Sequence, residues 1–191
     1  MEEVVFQTRT YMAPIGHSYD IFIDDEIADP PSYRDEFSII YGATPSDIIN
    51  IYINSDGGDL ATTCQFMNAM HSCEAQVNTH LVYAAASGAS MILLRGDNII
   101  IHPNSYIMCH NASGGYGGKI SDIHSYAVHA KDSLANIMRS TYYGFLTENE
   151  IESMLKGEEY WMQYEEINER LQKRIDLFNS LPQDGEESVE D

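Results

Sequence analysis

Three short stretches hold residue types that could carry out acyl chemistry. In "VYAAASGASMILL" (82–94), Ser87 and Gly88 stand at the corner between two apolar runs, where a hydrophobic core needs neither. A serine between a buried strand and a helix is exposed at the sheet edge, and the unpaired N–H groups of the first helical turn face whatever it attacks. In "INSDGGDL" (53–60), Gly57 and Gly58 follow a strand and precede a helix, which would turn the Gly58 N–H toward the same oxyanion. Preorganised donors of this kind contribute on the order of 3 kcal/mol each. His110 ends "PNSYIMCH", just before "NASGGYGG", and a general base suits a strand end that opens on a cleft. Each stretch also has a plainer reading. Ser-Gly among alanines is a close-packing sequence, paired glycines make tight turns, and six other histidines (His17, His71, His80, His102, His124 and His129) share the chain.

These residues need elements to position them. The pattern predicts strands at Tyr19–Ile23, Ile48–Ile53 (apolar throughout, hence covered on both faces), 77–83, 98–102 and 106–110. Helices are predicted at Arg34–Tyr41, at Leu60–His71, and from Ser87–Gly88 to about Arg95. A long helix follows "SGGYGG", with a buried stripe of Ile120, Ile123, Ala127, Ala130, Leu134, Ile137 and Phe145. "TENE" at Thr147–Glu150 has capping-box form and opens another helix that Gly157 closes. A last helix covers about Tyr164–Phe178. Strands alternating with helices imply an α/β fold with a mostly parallel sheet.

The chain has 191 residues, 43% of them hydrophobic, enough for one domain with a core. Its 30 Asp and Glu against 10 Lys and Arg give a formal charge of −20, which disfavours nucleic-acid phosphates and anionic membranes as partners. Residues 1–18 read as an irregular arm, 19–178 as the domain, and 179–191, with "QDGEESVED", as a disordered acidic tail. Cys64, Cys73 and Cys109 lack metal-ligand spacing and read as reduced, buried thiols of an intracellular chain. There is no signal-like N-terminus and no membrane-length apolar run, so a soluble, cytoplasmic location is expected.

"IYINSDGGDLATT", "AAASGAS", "PNSYIMCH" and "GGYGGKISDI" together resemble the proteolytic subunit of the Clp protease, whose members read close to "YINSPGG", "QAASMGA", "PNSRVMIHQP" and "GGFQGQATDI" in the same order. The likeness runs from about Tyr19 to Met162. It implies a ClpP/crotonase-like ββα superhelix with a strand-helix handle over about 113–145. It also implies a Ser-His-acid triad with Ser87 as nucleophile and His110 as base, an oxyanion hole of Gly58 and Gly88, and substrate contacts at Asp59, Leu60, Asn111, Gly114 and Gly115. The third member departs from the family's aspartate: "GEEYWMQ" offers Glu159 two residues before Trp161, with Glu158 as competitor.

The resemblance further implies a serine endopeptidase acting on unfolded polypeptides. It would form homo-oligomeric heptameric rings, possibly stacked as a tetradecamer, fed by an AAA+ unfoldase that hydrolyses the ATP. No cofactor or metal is expected at the peptidase site. Other departures bear on gating and ring size. "HQP" is "HNA" here, the arginine beside the catalytic acid is missing, and "YGLVD" is replaced by "RLQKR". Three alternatives stay open: a phage-type head maturation protease of the same fold, a non-catalytic ring subunit, and a crotonase-like acyl-CoA enzyme.

Overall fold

A computed structural model describes residues 16–113 and 119–181. Six strands form one sheet: β1 (Ser18–Ile23), β2 (Ile48–Ser55), β3 (Gln76–Ala86), β4 (Asn98–Ile101), β5 (Tyr106–Cys109) and β6 (Tyr160–Gln163). The order is β1-β2-β3-β5-β6, with β4 beside the first half of β3 and β5 beside its second half. All pairings are parallel except β5 with β6. The helices are α1 (Arg34–Gly42), α2 (Leu60–Ser72), α3 (Gly88–Leu93), α4 (Ile120–Tyr142), α5 (Glu148–Met154) and α6 (Tyr164–Ser180), with a 3-10 turn at Pro30–Tyr33. The chain is a mixed α/β fold of the kind expected.

Alternation along β2 decides which face is inside. Ile49, Ile51 and Ile53 are fully buried, whereas Asn50 and Tyr52 on the other face are half-buried. Burying each isoleucine contributes about 1.5–3 kcal/mol. The expectation that β2 is covered on both faces is therefore corrected: its isoleucine run extends beyond the inward set only at Ile48, which is 39% exposed. The outward face carries two cross-strand ladders instead. Asn98 donates to Asn78, Asn78 to Asn50 and Asn50 to Asp20, each at 2.9 Å. Beside them, Phe22 stacks on Tyr52 (4.9 Å) and Tyr52 on His80 (4.5 Å). Such pairs pin the register, which a one-residue slip would invert.

The helix ends follow local chemistry. Asp59 caps α2 by accepting from the Thr62 N–H, and Thr147 with Glu150 closes the capping box of α5. Arg170 of α6 then grips Glu150 with two bonds of 2.9 and 2.8 Å, tying α6 to the start of α5. On α4 the predicted stripe holds toward its C-terminal end, where Leu134 and Ile137 pack on the core, but Ala127 is exposed. The side chains of Ile120 and Ile123 lie outside the described residues, as do residues 1–15 and 182–191. Of the three free cysteines only Cys109 is buried; Cys64 and Cys73 are partly exposed, because each sits at the solvent margin of α2.

Candidate active site

β3 runs beneath the site and hands the chain to α3 through Ser87. There the backbone turns at φ 54 and ψ −125, a positive φ at a non-glycine residue. Such a conformation costs about 1–3 kcal/mol and persists only where its surroundings enforce it. The Ser87 N–H donates to the Met108 carbonyl of β5 at 2.9 Å. On the other side, the Ser90 N–H (3.0 Å) and hydroxyl (2.7 Å) both donate to the Ser87 carbonyl. The Ser90 Oγ in turn lies 2.7 Å from the Tyr142 hydroxyl, delivered by the C-terminal end of α4. Burial pushes the Tyr142 phenol well up, so it stays a neutral hydrogen-bonding group.

The Gly57–Gly58 loop approaches this corner from β2. The β2–β3 register shifts by two between Ile53 and Ser55, so that Ser55 comes opposite Ala85. Ser55 then organises the loop: its hydroxyl donates to the Asp25 carbonyl at 2.6 Å and accepts from the Gly57 N–H at 3.1 Å. Gly57 has φ 96, and a Cβ there would stand 2.7 Å from both the Ala86 carbonyl oxygen and the Ser87 Cβ. Only glycine fits. In the parallel bridge of Ile27 with Gly58, Ile27 bonds the Gly57 carbonyl and the Asp59 N–H, both at 2.8 Å. That pattern turns the Gly58 N–H to the opposite side. The Gly88 N–H, first in α3, has no intrahelical acceptor.

His110 follows β5. Ala86 pairs with Met108 in parallel register, so Ser87, one residue past that pair, and His110, two residues past it, lie at neighbouring strand ends. Ser87, Gly88, Gly58 and His110 all line one cleft of about 1530 Å³. Asp59, Leu60 and Asn111 line it too. The Asp59 carboxylate is engaged as helix cap, however, and the Asn111 amide donates to the Leu155 carbonyl at 3.0 Å. Gly114 and Gly115 lie outside the described residues. Lys131, Lys156 and the Arg139–Glu152 pair (2.8 Å) add basic groups to a rim that also holds Glu26 and Asp56.

The acidic members are not joined to the others. Both Glu158 and Glu159 are exposed, in the turn between α5 and β6, and neither lines the cleft. The Tyr160 hydroxyl donates to Glu158 at 3.1 Å and the Trp161 indole to Glu159 at 3.2 Å. The His110 Nε2 is buried without a hydrogen-bond partner. Among the described residues no hydrogen bond links Ser87, His110 and Glu159. Behind the site, Cys109 is buried and its thiol is pushed up to about 12 by desolvation, which leaves it inert. Sequence reasoning missed Ser55 and Tyr142. A serine two residues before a glycine pair is a readable cue for the first; nothing near Tyr142 in sequence signals a bond to Ser90.

The comparisons agree with this architecture. The model of the Clp protease family matches residues 8–169, and the chain belongs to that family. It is 35% identical over 97 residues to the ATP-dependent Clp protease proteolytic subunit 1 of Rhodopirellula baltica, covering 48% of this chain. The aligned stretch spans 43% of that relative's length, less than half of it.

Proposed function

We propose that this chain is a serine endopeptidase of the Clp type. The observation that carries the reading is the strained Ser87 corner, which lines one cleft with Gly58, Gly88 and His110. His110 takes the Ser87 proton as the hydroxyl oxygen attacks a peptide carbonyl. The Gly58 and Gly88 N–H groups hold the oxyanion, and His110 returns the proton to the leaving amine. Water then hydrolyses the acyl-enzyme. Glu159 is the acid that orients the imidazole. In the same reading Gly114 and Gly115 serve substrate binding through backbone hydrogen bonds, which tolerate many sequences.

The family and the relative's name support a wider reading, in which identical subunits form heptameric rings and an ATP-driven unfoldase supplies unfolded chains in the cytoplasm. Among the described residues no helix is long and apolar enough to cross a membrane. A non-catalytic ring subunit is the second reading, favoured by the absence of a bond from His110 to either Ser87 or Glu159. Hydrolysis of a fluorogenic peptide and of unfolded casein separates the two. Turnover that Ser87→Ala abolishes supports the peptidase, and none in the assembled wild type supports the passive subunit.

A further inference from the structure

The strand pair β5–β6 sets two groups in competition for one carboxylate. In its antiparallel register Tyr106 faces Gln163, Ile107 faces Met162, Met108 faces Trp161 and Cys109 faces Tyr160. Carried one residue further, the register sets Glu159 directly opposite His110. Residues opposite each other share a face, as do residues two apart along a strand, so Met108, His110, Glu159 and Trp161 all belong to one side. On that side the Glu159 carboxylate accepts from the Trp161 indole N–H at 3.2 Å, while the indole stacks on Tyr106 at 5.8 Å and 29°. The stack fixes the N–H donor one pair away from His110. By that register Glu159 has the imidazole of His110 directly across from it and the indole of Trp161 two residues along its own strand, and here its carboxylate is on the indole.

We infer that Trp161 is a positioning residue that holds Glu159 off His110 in the resting chain, and that moving this carboxylate from indole to imidazole arms Ser87. The inference rests on the triad reading given above and assigns its regulation. The extra methylene of glutamate gives the carboxylate the length to bend back along the strand to position 161.

The test uses the full chain and a fluorophosphonate, with the rate of Ser87 phosphonylation followed by mass spectrometry. Trp161→Phe keeps a ring against Tyr106 and removes the N–H; because Trp161 is 59% exposed, the variant is expected to fold. The expected result is a five- to tenfold faster reaction at Ser87, roughly the size of one ordinary, solvent-exposed hydrogen bond. In the Glu159→Gln background the same substitution is expected to change the rate less than twofold. Trp161 is also the chain's single tryptophan, so its emission reports the contact directly. Phosphonylation is expected to shift that emission in the wild type and not in Glu159→Gln. A rate unchanged or lowered by Trp161→Phe, or a gain that survives Glu159→Gln, overturns the latch while leaving the serine reading intact. Ser87 unlabelled in every variant removes the triad reading itself.

Discussion

Gly57 lies so close under Ser87 that a Cβ added to it would stand 2.7 Å from the serine's own Cβ. The contact joins two loops separated by 30 residues in sequence, and it locks the serine corner against the loop that carries Gly58. Gly57→Ala must therefore push the loops apart as well as adopt φ 96. It is expected to cost about 2–4 kcal/mol of stability. Denaturant unfolding checks the magnitude, and peptide hydrolysis should fall with it even where the variant remains folded.

Strain at Ser87 gives a second expectation. Alanine at this position loses the hydroxyl but keeps the positive φ; glycine loses the hydroxyl and relieves the conformation. Ser87→Gly is expected to be about 1 kcal/mol more stable than Ser87→Ala, after the greater unfolded-state freedom of glycine is set against the relieved strain. Both should be inactive. Denaturant midpoints at equal slope decide it, and the reverse order would mean that the corner is not strained.

The Glu150–Arg170 pair sets an acid limit on the fold. The Arg170 guanidinium holds the Glu150 carboxyl down to about 2 from an ordinary 4.5, aided by the Thr147 bonds. The unfolded chain then binds the proton more readily. The stabilisation is present above pH 4.5 and is lost as pH falls toward 2. Arg170→Ala is expected to cost about 1–3 kcal/mol at neutral pH and to flatten the stability profile over that window. Some slope will remain, because His17 and Thr44 donate to Asp47 and hold that carboxyl low as well. Chemical denaturation between pH 2.5 and 7 measures both.

Most elements were legible in sequence because their signals are local. Leu60–Ser72 shows helical spacing, "TENE" spells its own cap, and the strands of the parallel sheet are compact apolar runs. β6 was not legible. It has four residues, its Trp161 is exposed, and it is held by pairing to β5 some 50 residues away. The one-sided burial of β2 was hidden for a related reason: Ile48 outside and Ile49 inside look the same in sequence. Around the cleft, Ser87, Gly58 and His110 each sit at the end of a recognisable strand, so their convergence could be argued from motifs. The engagement of Glu159 with Trp161 could not, since it depends on which of two reachable donors a carboxylate takes. Nor could the Ser90–Tyr142 bond, which spans 52 residues.

The most direct measurement is to react the purified protein with a fluorophosphonate and map the adduct by peptide mass spectrometry, in parallel with His110→Ala. An activated nucleophile is expected to give a single adduct on Ser87 that falls at least about a thousandfold in rate when the histidine is removed. A folded protein that carries no adduct on Ser87, or one whose labelling is indifferent to His110, would contradict the assignment of this cleft as a serine peptidase site.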